Sequence, residues 1–234
     1  MKKSTPYSIA ILTYNVKHRK TYDTLCLLRS RGYDNVTVYA QPMTYEKKRL
    51  PLISHRPELI VSIPEVDQLC QNLGYKYIEG EFIDTIGTVD DKNDMVYLLC
   101  GAGLLPETFI AAHRIVNGHP GYIPFARGLD SYKWSVYNGF PIGVTTHFLG
   151  PYVDSGEVIE RRIIEVKPFD TFHSVAQRLY ENEIDMLVGS LECIDEEHEY
   201  ITPAEGSSIF KRMPEDKERE LFERFEEYKK KYAR

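Results

Sequence analysis

Asn117, His119 and Asp154 are the residues of this chain best suited by type and spacing to carry a reaction. Asn117-Gly118-His119-Pro120-Gly121 is one continuous run, Arg127-Gly128 follows it, and Asp154 lies 35 positions after His119. The set holds an amide, an imidazole and a carboxylate. The chemistry open to it is attack of a nucleophile on a carbonyl, which puts negative charge on oxygen. An Asn side chain donates two N–H bonds and a protonated His donates one more, so both can stabilise that oxyanion. Imidazole also carries protons near neutral pH. A carboxylate beside it favours its charged form and fixes its orientation.

These groups need elements that bring them together. Arg114–Asn117 follows a helix-like segment, and residues 118–128 are rich in Pro and Gly, which makes them a loop. Asp130–Asn138 reads as a short helix stopped by Gly139. The β-branched run Val144-Thr145-Thr146-His147-Phe148 reads as a strand, followed by the loop Gly150–Gly156. Asn117, His119 and Asp154 can then share one end of a sheet, where open α/β sheets bind ligands. Upstream, Ser8–Thr13 is a buried strand, Thr21–Arg31 a helix and Asn35–Tyr39 a second strand. That β-α-β opening predicts a parallel sheet. Pro64–Leu73 reads as a helix, and Tyr75–Ile78 and the very apolar Met95–Cys100 read as strands. Pro106–His113 reads as a helix with Pro in its first turn. Gly156–Val166 is strand-like, and Asp170–Ile194 carries one apolar face of a long helix.

The stretch Ile115–Ile159 resembles the catalytic core of the folate-dependent formyltransferases, the family of glycinamide ribonucleotide and methionyl-tRNA formyltransferases. That family carries a strand ending in Asn-x-His-Pro, a loop with Leu-Pro and Lys/Arg-Gly, and a later Asp-x-Gly loop, here Asp154-Ser155-Gly156. The resemblance implies a Rossmann-like, mostly parallel open sheet with helices on both faces. It implies the oxyanion, proton and orienting roles for Asn117, His119 and Asp154, and a secondary place at the centre for His147. It implies 10-formyltetrahydrofolate as formyl donor, with tetrahydrofolate as product. Cys100, Gly101, Ala102, Gly103, Leu104 and Leu105, with Tyr152, Val153 and Ser155, would line its pocket. Where the family has Ser, this chain has Gly121, and the family's Leu-Leu is Tyr122-Ile123.

The acceptor is read by elimination. The loop Tyr14–Lys20 has no glycine to cradle a phosphate but offers Lys17, Arg19 and Lys20, which suit phosphates near a helix start. About 40 residues follow the core, too few for a tRNA-gripping domain. The chain is therefore most like the sugar-nucleotide N-formyltransferases, and Ile209-Phe-Lys211-Arg212-Met-Pro214 resembles their appendage. The expected acceptor is a dTDP- or UDP-linked amino-deoxy sugar used for surface glycans. The other readings are a glycinamide ribonucleotide-like amine as acceptor, or a nucleotide-sugar oxidoreductase or epimerase, which would need a glycine-rich first loop.

Composition sets the outer limits. The 234 residues suit one domain with a tail: a catalytic domain over 1–197 and an appendage over 198–234. The appendage holds a short strand and a helix whose stripe Leu221, Phe222, Phe225, Tyr228 and Tyr232 docks on its own core or on a second copy. Apolar residues make up 42%, enough for a substantial core. A net charge of −6 argues against nucleic acid as a partner. No apolar run reaches membrane-span length, and the amino terminus has no signal-peptide core. The four cysteines lack metal-ligand spacing and read as reduced cytoplasmic thiols; no metal site is expected.

Overall fold

The computed structural model describes residues 5–44, 50–56, 62–154, 156–201 and 209–233. In chain order the elements are β1 (Ser8–Tyr14), α1 (Arg19–Ser30), β2 (Val36–Gln41), α2 (Val66–Leu73), β3 (Lys76–Glu79), α3 (Phe82–Thr85), β4 (Met95–Leu99), α4 (Glu107–Ala112) and β5 (Arg114–His119). There follow β6 (Arg127–Gly128), α5 (Ser131–Asn138), β7 (Gly143–Phe148), β8 (Gly156–Ile163), α6 (Phe172–Gly189), β9 (Glu199–Ile201), β10 (Ile209–Phe210) and α7 (Glu215–Tyr232).

Eight strands form one sheet in the order β3-β2-β1-β4-β5-β7-β8-β9. The β3 to β5 half is parallel, and β7, β8 and β9 add antiparallel to it. The period-two alternation of a strand decides what each face meets. Ile9, Ile11, Val96, Leu98 and Val116 join Leu25 and Leu28 of α1 and Leu187 and Val188 of α6. Ala10, Leu12, Tyr97 and Ile115 face the other way, onto Phe82 of α3 and Phe109 of α4. Helices thus cover both faces, as the sequence predicts for an α/β fold. The same alternation sends Asn117 and His119 toward the α4 side of β5 and Gly118 toward α6.

A second core lies under α5 and α7. Tyr132 and Val136 meet Leu221, Phe225 and Tyr228, with Val175, Leu179 and Met186 of α6 completing it. Each such apolar side chain withdrawn from water contributes about 1.5–3 kcal/mol, so the α7 stripe docks on its own chain. Phe222 and Tyr232 remain partly exposed at its margin. The long helix expected over Asp170–Ile194 starts at Phe172 behind a Thr171–Ser174 capping box, and it tightens to a 3-10 turn at Ser190–Glu192. Among the described residues no helix is long and apolar enough to cross a membrane.

Candidate active site

The ladder between β5 and β7 sets Asn117 opposite His147 and His119 opposite Thr145. His147 is fully buried, and its Nδ1 donates to the Phe148 carbonyl at 3.0 Å. That leaves Nε2 as an acceptor, 3.3 Å from the Asn117 amide nitrogen. One amide N–H is thereby engaged, which restrains the rotamer and leaves a second N–H on the same nitrogen. Expected only as a secondary residue, His147 is the hydrogen-bond partner of the Asn117 amide.

His119 is 4% exposed. Its Nε2 donates to the Ala126 carbonyl at 2.7 Å, with the Ser131 hydroxyl 3.2 Å away. Ser131 gives its own hydrogen to the Gly128 carbonyl at 2.8 Å, so toward the imidazole it is an acceptor. With Nε2–H committed, Nδ1 is the nitrogen left for proton exchange, and it lies 3.4 Å from Asp154 Oδ1. The same carboxylate oxygen is 3.9 Å from His147 Nε2.

Asp154 is held in a left-handed conformation with φ 45°, a strained position that short polar side chains tolerate best. The loop is fastened to hold it there. The Gly128 N–H donates to Asp154 Oδ2 at 2.6 Å. The buried Arg127 guanidinium donates from Nε to the carbonyls of Val153 at 3.1 Å and Asp154 at 3.0 Å, and from a terminal nitrogen to Val153 again. Asn117, His119 and Asp154 therefore converge at the carboxyl end of β5, with His147 across the ladder from Asn117. The arrangement offers an amide N–H and an imidazole nitrogen backed by a carboxylate, the set needed to stabilise an oxyanion and move a proton.

The glycine at position 121 has a physical reason. A Cβ there would sit 2.6 Å from His119 Nε2 and 2.8 Å from Ser131 Cβ, and closer still to the Ala126 carbonyl. Ser131 of α5 fills the space and supplies a hydroxyl to the imidazole. Sequence reasoning missed Ser131; the one signal available was the departure at Gly121.

The residues expected to hold folate divide. Leu104 stands 96% exposed, and Tyr152 and Val153, which precede Asp154 in the chain, are also exposed. A Cβ on Gly103 would meet no atom within 4 Å, so its backbone is open to approach. Gly101 is covered by the Tyr14 ring, while Ala102 and Leu105 pack under α4. Cys100 must be withdrawn from the wall. Its side chain turns to the α1 side, in the core with Leu25 and Leu28, and burial pushes its thiol up to about 11. Ser155 lies outside the described residues. A cavity of about 720 Å³ lies toward the start of β5, lined by Arg114, Ile115, Leu149, Pro151 and Tyr200 among others, and none of the described residues expected to hold folate lines it.

Of the basic candidates, Lys17 is exposed and pairs with Glu65 at 3.1 Å, and Arg19 pairs with Asp23 at 2.7 Å. Lys20 points inward instead, to Glu183 at 2.8 Å and the Gly118 carbonyl at 3.1 Å, and is withdrawn from the phosphate-binding set. Lys211 is exposed beside Trp134, whose indole N–H donates to the Lys211 carbonyl at 2.8 Å while its ring stacks on Phe210. Arg212 is half-buried next to it.

Residues 83–191 match the formyl transferase family. The chain is 28% identical over 111 residues to the dTDP-4-amino-4,6-dideoxyglucose formyltransferase of Mycobacterium tuberculosis, covering 47% of each. It spans about half the length of that curated relative. Its fold is similar to a 4-N formyltransferase from Francisella tularensis, with TM-score 0.57 and 19% identity over 87% of this chain and 76% of the other. It is also similar to an N-formyltransferase from Helicobacter canadensis solved with folinic acid and dTDP-3-aminofucose, with TM-score 0.59 and 15% identity over 87% and 70%.

Proposed function

We propose that this chain, which carries a formyl transferase domain, moves the formyl group of 10-formyltetrahydrofolate onto the amine of a dTDP- or UDP-linked amino-deoxy sugar. The observation that carries the reading is the convergence of Asn117, His119 and Asp154, with His119 Nδ1 facing Asp154 at 3.4 Å while its Nε2 is tied to the backbone. The exposed apolar side chains suit a flat, largely apolar cofactor. Leu104, almost fully exposed next to the open backbone of Gly103, and the exposed Tyr152 and Val153 leading into Asp154 are apolar surface that a ring system would cover. When bound, the folate supplies the formyl carbon.

The chain's own residues supply the rest. The free N–H of Asn117 and a proton on His119 Nδ1 stabilise the oxygen that gains charge. That proton is the one the acceptor amine loses on attack: His119 Nδ1 takes it, Asp154 balances the resulting imidazolium, and Nδ1 then gives it to the donor nitrogen whose bond to the formyl carbon breaks. His147 keeps the Asn117 amide in register. Lys17 and Arg19 hold the acceptor's phosphates at the start of α1, and Lys211 and Arg212 stand as further candidates. The likeness to relatives that act on dTDP-amino sugars supports this acceptor class, as does a first loop without glycine. We place the reaction in the cytoplasm.

The test is incubation with 10-formyltetrahydrofolate and a panel of dTDP- and UDP-amino sugars, including dTDP-4-amino-4,6-dideoxyglucose, read by mass spectrometry. One acceptor should gain a single formyl group. Absence of a formylated product across the panel, or turnover of a nicotinamide cofactor, defeats the proposal.

A further inference from the structure

Lys20 sits in the first turn of α1 with its side chain only 9% exposed. Its partner Glu183, on α6, is 1% exposed. Burial works against the Glu183 charge, but Arg56 at 3.1 Å and Lys20 together outweigh it and hold the carboxyl below its usual range. Arg56 keeps nearly half its surface in water. The structure therefore maintains a buried ion pair directly behind the proposed catalytic strand, at a location where an apolar pair would cost less.

The geometry shows what the pair acts on. The β4–β5 ladder ends at Leu99 opposite Asn117. One residue farther, the Gly118 carbonyl receives the Lys20 ammonium instead of a strand, at 3.1 Å. Gly118 leaves room for this: a Cβ on it would approach Glu183 Cγ to 3.3 Å and Leu187 Cβ to 3.5 Å. Asn117 and His119 flank that carbonyl and project to the opposite face. We propose that Lys20, held by Glu183, is a positioning residue: it fixes the Gly118 peptide and thereby the directions in which Asn117 and His119 enter the site. The inference rests on the formyl transfer proposed above. A carboxylate and a carbonyl already occupy the ammonium, so Lys20 is not a phosphate ligand.

The test compares Lys20→Met, Lys20→Arg and the double variant Lys20→Met/Glu183→Leu in steady-state kinetics, using 10-formyltetrahydrofolate and the acceptor identified by the panel. A misplacement near 1 Å costs about 100-fold in rate. Lys20→Met should therefore lose about that factor in kcat. Its KM for the acceptor should stay within about twofold, because the lost contact acts on the reacting centre and not on ground-state binding. Lys20→Arg should recover part of the loss. A raised KM at unchanged kcat would mean a phosphate contact and overturn the inference, as would wild-type kinetics. Should Lys20→Met fail to fold, the double variant, which leaves no uncompensated buried charge, is expected to fold and to show the same kcat loss; normal kcat in it overturns the inference. Imidazole nitrogen NMR of the free protein separates this from the acceptor question. The His119 signals should move in Lys20→Met and stay in place in a Lys17→Ala control. If no acceptor emerges from the panel, unmoved His119 signals alone refute the positioning role.

Discussion

Gly121→Ala is the sharpest perturbation of the proposed site, because it adds one methyl group and removes no catalytic group. Ordinary contact between carbon atoms lies near 3.5–4.0 Å. The new Cβ would stand 2.6 Å from His119 Nε2 and 2.8 Å from Ser131 Cβ, with the Ala126 carbonyl nearer still. One wall is backbone, and it is the same carbonyl that accepts from His119. No flexible side-chain tip is available to move aside, so the imidazole and its acceptor must separate by about 1 Å to restore ordinary contact. Overpacking of this kind costs about 1–3 kcal/mol, which in a domain of this size lowers Tm by about 2–12 °C. The same displacement of His119 should cost about 100-fold in kcat. Scanning calorimetry and steady-state turnover measure the two effects separately. Gly121→Ser, the residue usual in the family, should be no better, since Ser131 already occupies its space. Adding Ser131→Gly removes one contact and should recover stability more than turnover, because the carbonyl clash persists and the hydroxyl is lost. A Gly121→Ala protein with wild-type Tm and turnover would refute the close-packed account of the imidazole.

Three further outcomes are expected. His119→Asn and Asp154→Asn should each fold normally and lose about 10²–10³ in turnover, the scale of losing one oxyanion donor; thermal melts beside kinetics check both halves. A Cβ at Gly103 meets no atom within 4 Å, so Gly103→Val should keep its Tm while folate affinity falls in titration calorimetry; unchanged affinity would remove this loop from the folate site. The Asp170 carboxylate is held well below the usual range by its hydrogen bonds from Arg178, against a counteracting burial, with further donors from the Lys167 N–H and Ser174. A depressed folded-state pKa means that its stabilisation is present above the unfolded value, about 4, and is lost as pH falls below it. Asp170→Asn should therefore lower Tm at neutral pH and flatten the acid limb of the Tm–pH curve, and an acid limb of unchanged steepness would show that other carboxylates govern it.

The parts of this fold that local chemistry dictates can be read directly from the residues. The apolar run of β1, the glycine stop of α5 and the one-sided stripe of α7 each depend on neighbours within a few positions. Asn117, His119 and Asp154 are legible as a set because strand ends bring such residues to one edge. Lys20 is not, since a lysine after a strand and before a helix has the sequence appearance of an exposed anion ligand; its burial comes from Glu183, 163 positions away. Cys100 is recoverable in principle. Counting by twos from Val96 and Leu98 puts it on the α1 face rather than on the wall of a cleft. The two-residue strands β6 and β10 carry no periodicity at all, and Ser131 touches His119 only because α5 begins where the Arg127–Leu129 turn places it. The helix expected from the sequence runs on to Ile194 because apolar spacing continues through the 3-10 turn.

The β6–β10 pairing has a consequence for when the site can exist during synthesis. Ile209 and Phe210 lie alongside Arg127 and Gly128, the Leu129 N–H donates to the Phe210 carbonyl at 2.8 Å, and the Met213 N–H donates to Asp130 at 2.9 Å. Arg127 and Gly128 are in turn the residues that fasten the loop of Asp154. Chains emerge and begin folding from the amino terminus, so the parallel half of the sheet can assemble early. The carboxylate cannot be braced until residues 209–213 have left the ribosome and α7 has closed over α5. A nascent chain would hold Asn117 and His119 in a nearly finished sheet yet lack the brace that places Asp154 beside them, and the candidate site would be completed only once residues 209–213 have paired with the 127–130 turn.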